Sequence, residues 1–422
     1  MASYTFETMT ASDGAAYISA DSLFFESATV ATLGVIYAPT SPLNPAETIT
    51  LTSGGHAVLF AADQLSAASL ADHLSFAHGG NLLVGTAGDN MLDGGAVTAS
   101  PGQGMLLYGF DGNDTIHGSA AHDTIDGGAG DDWLYTSSFG TDGAGHFIEH
   151  DYINGGAGND EISGGAGNDH LYGNSSASTA GDADGGDTIF GNQGNDYIQG
   201  NAGSDLIYGG FGNDRLYGGG GDDTISGDGG NDYIQGNKGN DKLSAHDGND
   251  TIHGGAGDDL ISGYDGDTLL FGDDGNDTIW AGVGHTVLTG GRGADAFMYQ
   301  DDAGRFGGPA HPIDQITDFT SGEDRIGFID LLRNAIPVDH VYHAEAGHIV
   351  TSADAAQAYA EQLLDAGTFA HEIAAIQVGG DTYLFYNYLN YDVTGADAAH
   401  SINSAIELVG VTASSISTAD FV

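Results

Sequence analysis

The sequence has no cysteine. Disulfides and thiolate metal sites are therefore excluded, while the compartment stays open. Positive charge is nearly missing: 7 Lys and Arg stand against 60 Asp and Glu, and none of the 7 precedes Arg215. Phosphate recognition needs clustered cations, so nucleic acid is not an expected partner. Anionic membrane surfaces are not expected partners for the same reason. No apolar run reaches the roughly 18 residues of a membrane span, so no membrane insertion is expected. The opening MASYTFETMTASDG lacks the basic n-region of a Sec signal peptide. Catalytic signatures are also missing. No G-x-S-x-G elbow occurs, and HEIAA from His371 has Ala375 where a zinc-protease helix needs its second His. No catalytic residue is expected, and the chain reads as a non-enzyme.

What the sequence does contain is glycine, 71 residues of it, and aspartate in a fixed rhythm. The net charge of -53 calls for neutralising cations. Asp is the short carboxylate that fits tight turns and binds hard cations there. From Gly155 to Met298 the chain steps in frames of nine, Gly-Gly-x-Gly-Asn-Asp-x-apolar-x. In the twelve frames from Gly191 the fourth position is always Gly and the eighth always apolar, from Ile198 to Phe297. Looser copies lie at Gly109–His117, Gly118–Asp126, Gly127–Tyr135 and His146–Asn154, with a ten-residue insertion at Thr136–Gly145.

The last three positions of each frame read as a short strand with one apolar residue inward. The first six read as a glycine-permitted turn. Two frames then make one coil of a parallel β-roll, and residues 18 apart stack in adjacent coils about 4.8 Å apart. Position 6 forms two rows. A strict step of nine gives one row Asp169, Asp187, Asp205 and on to Asp295, and a second Asp160, Ser178, Asp196 and on to Thr268 and Thr286. Stacked carboxylates and turn carbonyls are the oxygen donors that Ca2+ takes.

The phrase resembles the RTX calcium-binding nonapeptide, G-G-x-G-x-D-x-U-x. The resemblance implies an all-β fold, a parallel β-roll built as a calcium-stacked right-handed solenoid. Multiple Ca2+ ions lie between its turns. The implied metal ligands are the position-6 carboxylates Asp114, Asp132, Asp160, Asp169, Asp187, Asp196, Asp205, Asp214, Asp223, Asp232, Asp241, Asp250, Asp259, Asp277 and Asp295.

Three segments are expected: 1–80, a β-rich cap or assembly module; 81–298, the roll; and 299–422, a second β-rich module. The first holds β-like runs such as TITLTSG and HAVLFAA, and Ala61–Phe76 reads as a short helix or, at HLSF, a strand. In the third, IDQITDFTSGEDRIGF (Ile313–Phe328), DTYLFYNY (Asp381–Tyr388) and SINSAIELVGVTASSISTADFV (Ser401–Val422) resemble the region that follows the repeats in serralysin-type proteins. A helix is expected over Ala353–Ala366, capped by Ser352. The serralysin catalytic half has no counterpart. The ending resembles an uncleaved signal read by type I secretion machinery, which implies export and an extracellular or cell-surface location. The expected role is a calcium-folded structural protein that polymerises through its flanks into a filament, S-layer or matrix. The alternatives are a calcium-dependent adhesin with a cell-surface ligand, or an enzyme or toxin with an unrecognised site.

Overall fold

The computed structural model describes residues 81–94, 104–136, 150–174, 185–300, 313–329, 372–386 and 404–422 continuously, with short stretches before residue 77 and between 338 and 360. The chain divides into two compact units, Met1–Gly219 and Gly220–Val422. Both are built mainly of parallel strands, as the β-roll reading expects.

In the first unit, strands alternate between two parallel sheets. Asn81–Val84, Met105–Asp111, Thr124–Ala129, Tyr152–Ala157, His170–Tyr172 and Tyr197–Ala202 pair in that order in one sheet. Met91–Asp93, Thr115–His117, Trp133–Tyr135, Glu161–Ser163, Thr188–Gln193 and Leu206–Phe211 pair in the other. The middle residue of each short strand, such as Ile116, Leu134, Ile162 and Ile198, is wholly buried. Its neighbours point outward, as a period of two requires. The core is thus one aliphatic side chain deep per strand.

The same unit holds short strands ahead of the roll. Gly34–Ala38, Thr48–Ser53 and His56–Ala61 form an antiparallel sheet, with Ile49 and Leu51 buried. Within Ala61–Phe76, Leu74–Phe76 is a strand, and residues 62–73 lie outside the described residues.

The second unit repeats the pattern. Thr224–Gly229, Lys242–Asp247, Leu260–Ser262, Thr278–Trp280, Ala296–Gln300 and Arg325–Ile329 make one sheet. Tyr233–Lys238, Thr251–Ala256, Leu269–Asp274, Val287–Arg292 and Asp314–Ile316 make the other. That second sheet continues through Ser404–Leu408, Asp381–Tyr386, Glu372–Val378 and His340–His343. Asp314–Ile316, Ser404–Leu408 and Asp381–Tyr386 therefore extend the roll's own sheet. Residues 355–357 and 359–360 are helical, with Ser352 Oγ accepting from the Ala355 N–H at 3.3 Å. The rest of the expected helix lies outside the described residues. Among the described residues, no helix is long and apolar enough to cross a membrane.

Candidate metal centre

The site grows out of the triplet Asp-x-apolar. Residues two apart on a strand share a face, so burying the apolar residue also turns the preceding Asp inward. Every position-6 Asp expected as a ligand is at most 3% exposed. Carboxylates so deeply placed need compensation, because burying an unpaired charge is costly.

The inward carboxylates stack in two rows per unit. In the first unit one row runs Asp114, Asp132, Asp160, Asp187, Asp205, each Oδ1 accepting the backbone N–H of the rung before it at 2.7–2.8 Å. The other runs Asp123, Asp151, Asp169, Asp196, Asp214 with the same bonds. In the second unit Asp223, Asp241, Asp259, Asp277, Asp295 and Asp324 are linked at 2.8–3.0 Å. The remaining row joins Asp232 to Asp250 and Thr286 to Asp314.

This register corrects the strict step of nine. Asp160 stacks on Asp187 and Asp169 on Asp196, each 27 residues apart rather than 18. The strands agree, with Glu161 opposite Thr188 and His170 opposite Tyr197. Asp169 and Asp187 therefore belong to different rows, and Ser178 lies outside the described residues. The reason is length. The tract after Gly173 adds nine residues to one coil, so it keeps the frame of a nonad. It lacks the Asp-x-apolar triplet that makes a rung, and residues 175–184 lie outside the described residues.

Two features fit these rows to a hard cation. One oxygen of each carboxylate is used by the ladder, and the other is not. Oδ2 of Asp114, Asp132, Asp196, Asp241, Asp250, Asp259 and Asp277 is buried with no hydrogen-bond partner. Those oxygens converge on main-chain carbonyls. The space where Gly191 would carry a Cβ is approached by both Asp196 Oδ2 and Gly209 O. At Gly254 the pair is Asp259 Oδ2 and Gly272 O, and at Gly272 it is Asp277 Oδ2 and Gly290 O. A carboxylate oxygen and a carbonyl from the next coil, in a cradle only glycine leaves open, is an oxygen donor set suited to Ca2+.

The ends of the rows differ from their interiors. Asp123 Oδ2 accepts from Ser119 N–H at 2.5 Å and Asp324 Oδ2 from Thr320 N–H at 2.7 Å. Neutral Asn90 takes the first rung of its row, with Oδ1 accepting from Thr86 N–H at 2.6 Å. Protein donors thus complete these end rungs. Inside one row, Thr268 and Thr286 are fully buried with Oγ1 unpartnered. The Gly263 cradle meets Thr268 Oγ1 and a Leu270 methyl instead of a carboxylate and a carbonyl. After Asp250 this row therefore offers neutral hydroxyls in place of carboxylates.

Burial, opposed only in part by the ladder N–H, raises these carboxyl groups. Asp132 is pushed up to about 8, with the Asp160 and Asp114 charges adding to burial. Asp196, Asp259 and Asp277 rise to about 7. A carboxyl group with a raised folded-state pKa contributes stability below its unfolded value, near 4, and loses it as pH rises through the folded value. Without metal, the roll should thus be favoured by acid and opposed above about pH 7. Protons and Ca2+ compete for the same oxygens. Calcium titration of metal-free protein, followed by circular dichroism, should show a midpoint that rises as pH falls from 8 to 6. A midpoint independent of pH would refute the competition.

Four row members escaped the residue list drawn from the repeat: Asp123, Asp151, Asp314 and Asp324. All carry the signal in plain form, as Asp-Thr-Ile, Asp-Tyr-Ile, Asp-Gln-Ile and Asp-Arg-Ile. The triplet finds them where the glycine pattern is worn or absent.

Comparison with known families finds the RTX calcium-binding nonapeptide repeat (4 copies) at residues 79–96, 108–139 and 148–179, and in overlapping placements over 183–297. No curated protein matches. Among solved structures, the chain is similar to the solution structure of a subunit of the Azotobacter vinelandii mannuronan C5-epimerase. The identity is 26%, over 43% of this chain and 78% of that one, with a TM-score of 0.24.

Proposed function

The chain belongs, through residues 79–297, to the family of RTX calcium-binding nonapeptide repeats, which bind Ca2+ at multiple sites, and from that premise we propose a secreted structural protein that folds on calcium outside the cell and self-assembles there. The ligands are the interior row carboxylates, and the low calcium of a cytosol keeps the chain unfolded until export. What supports assembly is an edge strand of the first unit among the described residues. Met91–Asp93 is the last strand of its sheet among the described residues, and Met91 is 78% exposed. An edge strand with an exposed apolar side chain is a template for pairing with another chain. Self-pairing must also overcome a net charge of -53, which calcium lowers. The 42.9 kDa protein should therefore form large particles by light scattering in millimolar Ca2+, and Met91→Lys should halt their growth. A wild-type monomer that persists in calcium would sink the assembly reading.

A second reading, a calcium-dependent adhesin, is favoured by one surface. On one sheet of the first unit, Tyr152, Tyr172, Tyr197 and Tyr217 follow each other with ring centroids 5.2–5.9 Å apart. Such a stripe offers flat apolar faces and phenolic hydroxyls to an uncharged ligand.

A further inference from the structure

The tyrosine stripe of the first unit carries a chemistry beyond surface contact. Ile153, Leu171, Ile198 and Leu216 are wholly buried, so the residues on either side of each face outward. His170 stands opposite Tyr152 on one side and opposite Tyr197 on the other. Tyr172 stands opposite Gln199. The phenols therefore meet on the diagonals between neighbouring strands, which aromatic side chains are long enough to span. Tyr152 and Tyr172 have ring centroids 5.2 Å apart with planes tilted by 38°. Tyr197 and Tyr217 lie 5.4 Å apart at 42°. The middle contact, Tyr172 to Tyr197, is longer at 5.9 Å and 45°. On the other sheet Tyr208 stacks instead on Phe190, which has no phenol to offer.

Two phenols held ring to ring are placed for oxidative coupling. A peroxidase that works one electron at a time removes an electron and the O–H proton from each phenol. Those two electrons and two protons reduce one hydrogen peroxide to two waters. The phenoxyl radicals then join through ring carbons ortho to oxygen. Each of those carbons passes its hydrogen to the oxygen of its own ring, which restores both phenols. The product is dityrosine, lighter than the parent pair by two hydrogens. Tyr152 is 47% exposed, which gives an oxidant an entry at one end of the stripe. The sequence has no cysteine, so a disulfide cannot tie the coils in its place.

We infer that this stripe is an oxidative cross-linking site: hydrogen peroxide, acting through a one-electron peroxidase, joins Tyr152 to Tyr172 and Tyr197 to Tyr217, and so fixes the calcium-folded coils covalently. The two shorter contacts are the ones used, because each phenol spent on the middle contact is lost to an outer one. The inference rests on the reading that calcium folds the repeats, since the folded coils are what bring these rings together. Fixed adjacency makes the coupling effectively intramolecular, whereas in the open chain the 19 tyrosines meet at random. A link between Tyr152 and Tyr172 restricts the open chain more than the folded one, so the linked protein folds at lower calcium.

The test treats the full chain with hydrogen peroxide and a haem peroxidase, in millimolar Ca2+ or in EGTA. Dityrosine fluorescence and mass mapping of linked peptides read the product. In calcium the main links should be Tyr152 to Tyr172 and Tyr197 to Tyr217, at a yield on the order of tenfold above that in EGTA. Freed of oxidant and calcium, the linked protein should regain its β signal at a calcium midpoint several-fold below that of the unoxidised protein. Tyr172→Phe, which keeps the ring, should abolish the Tyr152 link and spare the one between Tyr197 and Tyr217. Tyr172→Phe combined with Tyr217→Phe should remove both links and the midpoint shift, while folding before oxidation is unchanged. An absence of dityrosine, links scattered over other tyrosines, or links joining two copies of the chain would overturn the inference. So would mapped links that leave the midpoint unmoved, or equal yields in EGTA from a protein whose β signal responds to calcium. Failure of the premise reads differently: the β signal of the unoxidised protein ignores calcium, and the same two links form with and without it.

Discussion

In EGTA at neutral pH the protein should lose most of its β-sheet circular dichroism, and millimolar Ca2+ should restore it in a steep, cooperative transition. The interior makes this the largest effect expected. Each coil buries one aliphatic side chain per strand, such as Ile234 and Leu243, so no thick core holds the coils together. Each coil also buries two row positions. Where both are Asp, as at Asp232 and Asp241, stacking the next coil adds like charge to like charge. Ions that bind the folded roll and not the open chain reverse this balance. A site with Kd of about 10⁻⁴–10⁻³ M adds about 1.4 kcal/mol at ten times that concentration, and successive sites along a row add together. Cooperativity follows because a cradle needs oxygens from two neighbouring coils, as with Asp259 Oδ2 and Gly272 O at Gly254. A spectrum unchanged by EGTA would mean that the carboxylate rows are held by something other than metal.

Gly248→Ala should raise the calcium needed for folding several-fold or abolish folding at 37 °C, while Gly220→Ala should be close to silent. Gly248 has φ +147, a backbone region that side chains rarely enter, at a cost of about 1–3 kcal/mol. A Cβ there would also fall within 3.0 Å of Gly230 O on the next coil. That carbonyl belongs to a backbone that cannot move without breaking the ladder, so overpacking adds about 1–3 kcal/mol more. At Gly220 nothing lies within 4 Å of the added carbon. Calcium titrations of the two variants, read by circular dichroism, make the comparison. Equal midpoints would show that the coils can part to admit a methyl group.

Much of this architecture is legible in the residues themselves. The twelve position-8 side chains from Ile198 to Phe297 are all 0–1% exposed, because the strand's period of two turns them inward and their neighbours out, even the apolar Leu260 and Leu269. The carboxylate rows are legible from Asp-x-apolar, since the strand's period of two carries the carboxylate inward with its neighbour. Pairing between rungs is less so. Nine extra residues in one coil are invisible to a count by nines, and only the bonds from Asp160 to Asp187 and Asp169 to Asp196 reveal them. The row ends were not legible either. Ser119 and Thr320 complete Asp123 and Asp324 through contacts four residues away, and nothing in their local sequence marks them as different from any turn. The docking of Asp420 onto Gly322 spans 98 residues and has no periodic signal at all.

The nine extra residues after Gly173 also bear on how such a chain can grow. A nonad is half a coil. Taken into the roll, one extra nonad would send every later strand to the opposite sheet and set each carboxylate beneath the wrong row. Here one coil runs 27 residues from Asp160 to Asp187, and Glu161 still meets Thr188. An added length of eighteen residues would therefore keep every later strand on its own sheet, whereas an added nine must be absorbed within one coil, as between Asp160 and Asp187. The length of the roll is free to drift, but only by whole turns.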